Sequence, residues 1–182
     1  MDKPLKEKVA QIKLVISDVD GVLTDGALYK SGNDEFKKFN VTDGSGIAMA
    51  RAAKLPIALI SGRYSEATEI RAKELRIEDV YNGTLDKIEP YFELKQKYDV
   101  RDDEIAFIGD DIIDLPVMQK VGVPIAVNNA IDSVKSIALY TTKKDGGNGA
   151  FREAIDWIIT TQDRYDEVLQ IVKEKIFVNR SK

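Results

Sequence analysis

Two short stretches of this chain are dense in carboxylates. SDVDG places Asp18 and Asp20 two residues apart, and GDDIID places Asp110, Asp111 and Asp114 within five residues. Burying an unpaired carboxylate is costly. Acids this close also repel one another unless something cationic joins them. Ser61, in SGR, and Lys87, in GTLDK, are a hydroxyl and an ammonium at comparable places along the chain. The sequence contains no His and no Cys. That removes Ser-His-Asp and Cys-His nucleophiles, phosphohistidine, disulfides and any metal held by imidazole or thiolate. Chemistry here must run on carboxylates, Lys, Arg, Ser/Thr and Tyr, with a hard cation as the available metal because such cations take oxygen ligands.

The elements that must position these residues can be read from hydrophobic pattern. IKLVIS (12–17), PIALI (56–60), DVYNG (79–83), EIAFIG (104–109), VPIAV (123–127) and IALYTT (137–142) read as strands. Several are short continuous apolar runs, as expected of parallel strands covered on both faces. Residues 44–54, 65–76, 85–98, 113–121 and 131–136 fit helices, and a long helical pattern runs from about 150 to 177 with a break expected near Thr160. Strands alternating with helices predict a doubly wound, Rossmann-like α/β domain with a mostly parallel sheet. The exception is 27–41, where SGND between two short strand-like pieces reads as a β-hairpin flap. The expectation is a single domain over 1–182, with the flap at about 27–41 and a C-terminal helical tail at about 150–182.

In such a sheet ligands bind at the carboxyl ends of the strands, and four polar motifs fall there. Asp18 and Asp20 follow the first strand, Ser61 the second, Lys87 the third, and Asp110, Asp111 and Asp114 the fourth. Each has a plain alternative. An Asp-x-Asp after a strand can be a turn with an N-cap, Ser61-Gly62 a helix cap, Lys87 a solvated lysine, and the later acids a cap of the next helix. Capping does not account for all four at the strand ends of one sheet.

DVDGVLTDG, LISGR, the lysine after YNGTLD, and IGDDIIDLPVM resemble, in order and over about 100 residues, the four motifs of the haloacid dehalogenase superfamily of phosphatases. FNVTDGSGI (39–47) and GGNGAFRE near the C-terminus are similar to the signatures of its small capless bacterial members that act on 3-deoxy-D-manno-octulosonate 8-phosphate. This resemblance implies Asp18 as nucleophile and Asp20 as general acid and then base, two residues on along an extended chain. It implies Mg²⁺ on Asp18, the Asp20 carbonyl and Asp110, with Asp114 and Asp111 orienting ligands or waters. Ser61 and Lys87 would hold phosphate oxygens. A cap is not expected, since Asp20 to Ser61 has room only for the hairpin and one helix, and Ser61 to Lys87 for one helix and one strand.

Substrate specificity then needs another source. The resemblance implies a homotetramer in which a neighbour's hairpin and tail close the site, and the hairpin and Gly-rich 145–149 are the segments that fit. It also implies that Asn40, Val41, Thr42, Asp43, Gly44, Gly62, Arg63 and Arg71 contact the substrate, the arginines meeting its carboxylate. The plain alternative for the arginines is a helix face paired with Glu66 or Glu69. The subfamily often carries a further Arg where this chain has Ala48, with Arg51 three residues on. A nine-carbon ulosonate 9-phosphate is the alternative substrate, but enzymes for it carry Glu at the SGR arginine. A broad sugar phosphatase, a phosphomutase and a non-enzymatic protein on this scaffold are further alternatives; mutases tend to carry a cap, and the last would be expected to have lost one of Asp18, Asp20, Lys87 or Asp110.

Composition narrows the partners. A net charge of −4 gives no basic footprint for nucleic acid. No apolar run approaches the roughly 18 residues that argue for a membrane span, and the charged N-terminus lacks the apolar core of a signal peptide. The absence of Cys is compatible with a reducing cytoplasm, which is the expected location.

Overall fold

The computed structural model describes residues 3–32 and 34–178. Its strands are β1 (Leu14–Ser17), β2 (Tyr29–Ser31), β3 (Asp34–Phe36), β4 (Ile57–Ser61), β5 (Asp79–Asn82), β6 (Ile105–Gly109), β7 (Val123–Ala126) and β8 (Tyr140–Thr141). Its helices are α1 (Lys3–Ala10), α2 (Val41–Ala52), α3 (Glu66–Leu75), α4 (Ile88–Lys97), α5 (Leu115–Met118), α6 (Asp132–Ile137), α7 (Ala150–Thr161) and α8 (Tyr165–Val178). Six strands form one all-parallel sheet in the order β5-β4-β1-β6-β7-β8. This is the doubly wound α/β fold expected from the sequence.

β1 lies inside the sheet, between β4 and β6, and its first three residues are apolar. Leu14, Val15 and Ile16 have no exposed surface, as befits a strand covered on both faces. Helices α1, α2, α7 and α8 pack on one another, and α4 packs on α5. Strand order reverses at β1, so the crevice at a topological switch point lies over its carboxyl end. Between β1 and β4 stand only the β2–β3 hairpin and α2, and between β4 and β5 only α3. The hairpin is antiparallel and separate from the main sheet, with Thr24 and Phe39 bridging at its base.

Several boundaries differ from the sequence expectation, among them these. α2 begins at Val41 rather than 44 because Asn40 caps it, its Oδ1 accepting from the Thr42 N–H at 2.9 Å. The helix expected over 113–121 shrinks to α5, since Asp111 and Asp114 cap a 3₁₀ turn at Ile112–Asp114 and Pro116 opens the α-helix behind it. Helix α1 was not anticipated. The long C-terminal pattern breaks at 162–164, where Asp163 adopts φ +56°.

Candidate active site

Strand register puts the key groups at one level. Ser17 pairs with Leu59 of β4 and with Ile108 of β6. The next residue, Asp18, still donates its N–H to the Ile108 carbonyl at 2.9 Å. Asp18 therefore stands level with the ends of β4 and β6, where Ser61 and Asp110 sit. On β5, Asn82 pairs with Ser61, and the chain then runs through 83–86 to Lys87, just before α4. Four strand ends thus converge on one crevice.

At its centre is a buried ion cluster. The Lys87 ammonium lies 2.8 Å from Asp18 Oδ1 and 2.7 Å from Asp114 Oδ1, with the Lys87 and Asp114 side chains both 0% exposed. The other Asp114 oxygen accepts from the Asp110 and Asp111 N–H groups at 2.9 and 3.3 Å, which ties the β6 loop to Lys87. Burial alone would lower the Lys87 pKa, but Asp18 and Asp114 outweigh it and hold the ammonium above its usual value. Burial pushes the Asp18 carboxyl up, partly offset by Lys87, and burial together with the charge of Asp18 pushes Asp110 up. Carboxylate oxygens of Asp18, Asp110 and Asp114 lie within 4.8 Å of one another, a grouping able to hold a metal ion.

Lys87 offsets only part of that charge. Asp110 Oδ1 is buried with no hydrogen-bond partner among the described residues, where such groups are normally satisfied. The groups there able to ligate a metal are the carboxylate oxygens of Asp18, Asp110 and Asp114, which suits a hard cation such as Mg²⁺. Gly21 makes the close approach possible: its φ is +91°, and a Cβ there would fall 2.0 Å from Asp110 Oδ2.

Asp20 is held separately. Its two carboxylate oxygens lie 2.7 and 2.8 Å from the Lys37 ammonium, and Thr24 donates to it at 3.3 Å. Asp18, Asp20, Gly62, Arg63, Asp110 and Asp111 line a cleft of about 310 Å³, with Leu28, Leu85 and Ile113 as apolar walls. A Cβ on Gly62 would sit 2.8 Å from Ile113, so a larger residue would narrow the cleft. Ser61 is fully buried and its hydroxyl donates to the Arg63 carbonyl at 3.1 Å. Asp111 is exposed and accepts from the Ile112 N–H, a capping contact. A slightly larger cavity, about 340 Å³, opens at the other end of β4 beside Arg51, Lys54 and Arg76, and it lacks the carboxylate cluster.

The residues expected to read the substrate divide. Arg63 lines the cleft, where its guanidinium pairs with Glu35 of β3 rather than with Glu66. Arg71 lies away from the cleft lining, paired with Glu74 at 3.0 Å and stacked over Phe39. Asn40 to Gly44 form the start of α2. Val41 is 80% exposed, the Asn40 amide donates to the Gly147 carbonyl, and Gly44 packs on Arg71 and Leu75. Asp43 is 2% exposed and accepts from the Arg152 N–H at 2.9 Å in the first turn of α7. Arg51 does not replace the arginine absent at Ala48, because it turns to the far cavity and donates to the Leu75 carbonyl. The Gly-rich 145–149 packs on its own chain: Gly147 donates to the Val22 carbonyl, and a Cβ on Gly146 would strike the Gly21 carbonyl oxygen. Lys37 and Glu35 were not singled out from the sequence. The available signal was alternation, since both fall on the face of the hairpin opposite Phe36.

The family profile described as haloacid dehalogenase-like hydrolase matches residues 57–153. The 3-deoxy-D-manno-octulosonate 8-phosphate phosphatase KdsC of Escherichia coli K12 is 40% identical over 161 residues, covering 88% of this chain and 86% of that protein. The crystal structure of the corresponding Yersinia pestis phosphatase superposes with a TM-score of 0.88 at 39% identity, over 91% of this chain and 90% of that one. The Moraxella catarrhalis phosphatase, crystallised with a magnesium ion, a phosphate ion and KDO, gives a TM-score of 0.88 at 35% identity, over 93% of this chain and 98% of that one. With these similarities spanning nearly its whole length, the chain belongs to the haloacid dehalogenase-like hydrolases, in the family of the 3-deoxy-D-manno-octulosonate 8-phosphate phosphatases.

Proposed function

We propose that this chain is a Mg²⁺-dependent phosphomonoesterase that hydrolyses 3-deoxy-D-manno-octulosonate 8-phosphate to the free sugar acid and phosphate. The observation that carries the reading is the buried cluster of Asp18, Lys87, Asp110 and Asp114 at the mouth of the sheet. Asp18 and Asp110, with the Asp20 carbonyl, would hold Mg²⁺, with Asp114 and the exposed Asp111 behind them. Bound there, the ion neutralises carboxylate charge and polarises a phosphate oxygen.

An Asp18 oxygen attacks phosphorus and the bond to the sugar oxygen breaks. That oxygen leaves with the electron pair and takes a proton from Asp20. The Asp20 carboxylate then removes a proton from water, whose oxygen attacks phosphorus. The bond to Asp18 breaks and the free carboxylate returns. Lys87 steadies Asp18 and stabilises negative charge developing on phosphate oxygens, and Ser61 contributes a hydroxyl beside it. Arg63 meets the substrate carboxylate once Glu35 releases it. Arg71, Asn40, Val41, Thr42 and Gly44 would contribute from beside the cleft. The enzyme works as a cytoplasmic homotetramer supplying lipopolysaccharide synthesis, the exposed hairpin residues Leu28, Tyr29 and Phe36 being available to a neighbour.

The test is phosphate release from eight- and nine-carbon ulosonate phosphates and common hexose and pentose phosphates, with Mg²⁺ and with EDTA. Strong preference for the eight-carbon compound, lost with EDTA, is the expected result. A flat preference would overturn the substrate assignment, and unchanged turnover in EDTA the metal. Asp18→Asn should abolish turnover with the fold intact, and retained hydrolysis would remove Asp18 as nucleophile.

A further inference from the structure

The β2–β3 hairpin alternates the wrong way round for a free surface ribbon. Phe36 is 58% exposed, whereas the next residue, Lys37, has a side chain only 1% exposed. Lysine is almost never fully buried unless paired. Its ammonium lies between the two oxygens of the Asp20 carboxylate, at 2.7 and 2.8 Å, and donates to the buried Thr68 hydroxyl at 3.2 Å. Thr68 belongs to α3, so Lys37 ties the loop after β1 to that helix. An ammonium bridging both oxygens fixes the rotation of the carboxylate. An ion pair retained only for cohesion can usually be replaced by apolar packing without loss, yet this one closes on the group that must exchange a proton with the leaving oxygen.

Resting on the reading of Asp20 as acid and base given above, we propose that Lys37 is a positioning residue that aims the Asp20 carboxylate at the leaving group, so that the hairpin sets the proton-transfer geometry of the reaction. Lys37 acts on the reaction only through the Asp20 carboxylate that it holds. Its loss therefore matters where a proton must be delivered. A sugar alkoxide is a poor leaving group and needs one; a dinitrophenolate leaves without it.

The experiment compares Lys37→Met with the native protein, Mg²⁺-loaded, on the eight-carbon ulosonate phosphate and on 2,4-dinitrophenyl phosphate in rapid-mix kinetics. With the sugar phosphate, kcat/KM should fall about 10- to 100-fold, inside the range general acid–base catalysis contributes. With the aryl phosphate, the burst of phenolate should keep its rate within about twofold, followed by a slowed steady state because water activation also uses Asp20. Equal losses on both substrates, burst included, would mean a structural tether and overturn the proposal, as would no loss on either. If Lys37→Met does not fold, Lys37→Gln, of similar reach without the charge, carries the same comparison. Asp20→Asn separates the two ideas. Undiminished sugar phosphate turnover in that variant would overturn the acid–base reading itself. Severe loss in Asp20→Asn beside native behaviour in Lys37→Met would overturn only the role of Lys37. The double variant should be no worse than Asp20→Asn alone.

Discussion

Replacing Asp43 by Asn should stabilise the protein at pH 8 and cease to do so near pH 5. Asp43 is almost completely buried between the first turns of α2 and α7. One oxygen accepts from the Arg152 N–H at 2.9 Å, and the other has no hydrogen-bond partner among the described residues. Burial pushes its carboxyl from the ordinary value near 3.8 up to about 6, against the smaller opposing pull of the Arg152 N–H and of Lys144, Arg71 and Arg152. At about 1.4 kcal/mol per pK unit, keeping this group ionised costs the native state about 3 kcal/mol. The sign follows from linkage. The native state holds the proton more tightly than the unfolded chain, so the cost is fully present above about pH 6 and fades as pH falls toward 4. Asparagine has the same shape and keeps the acceptor for the Arg152 N–H. It introduces a buried amide donor, at a cost of about 1–2 kcal/mol. The variant should therefore gain about 1–2 kcal/mol at pH 8 and lose that advantage at pH 5. Paired denaturant titrations at the two pH values measure the difference, and other titrating groups cancel because both proteins carry them. A difference that does not change with pH, or a loss at pH 8 larger than at pH 5, would show that the three cations keep Asp43 comfortably ionised and refute the reasoning. Since Asp43 faces α7, KM should move less than about twofold; a large rise would instead place Asp43 against the substrate.

Two other substitutions probe the cleft. Lys87→Met leaves Asp18 and Asp114 buried without their shared cation, so stability in EDTA should fall by roughly 3–5 kcal/mol. Mg²⁺ should recover part of that, because a ligand bound only by the folded state stabilises it; thermal unfolding with and without the ion measures both, and an unchanged midpoint in EDTA would contradict the cluster. Glu35→Gln releases the Arg63 guanidinium, so KM for a carboxylate-bearing sugar phosphate should drop about two- to fivefold, the scale of a partly exposed ion pair, with aryl phosphates unaffected. Arg63→Ala should raise KM for the ulosonate phosphate alone; equal rises on both substrates would mean that Arg63 reads phosphate or holds structure.

The main sheet was legible because buried parallel strands write themselves as continuous apolar runs, and IKLVIS, PIALI and EIAFIG have almost no other way to be buried. Once the strands are placed, Asp18, Ser61, Lys87 and Asp110 converge for topological reasons, because the carboxyl ends of parallel strands share one edge. The sequence signal is weaker where a residue has two competent roles. Asp111 and Asp114 stand three apart in one acidic run, yet one caps a turn at the surface and the other is fully buried on Lys87. Asp25, equally acidic and close to Asp20, turns away to accept from Tyr29 at the base of the hairpin.

What composition hid was the hairpin. DEFKKF reads as a charged, solvated ribbon, and a propensity argument would bury Phe36 and expose Lys37. The fold does the opposite because the face turned inward meets the Asp20 carboxylate and the Arg63 guanidinium, so complementary charge is what that face requires. Glu35 and Lys37, two residues apart and hence on one side of an extended chain, answer the cation and the anion in turn. An apolar residue at either position would leave a cleft charge without its partner. The inverted alternation is therefore itself the signature of a site beneath: where a strand ends on an exposed aromatic and the next residue is a buried lysine, the partner of that lysine is the place to look for chemistry.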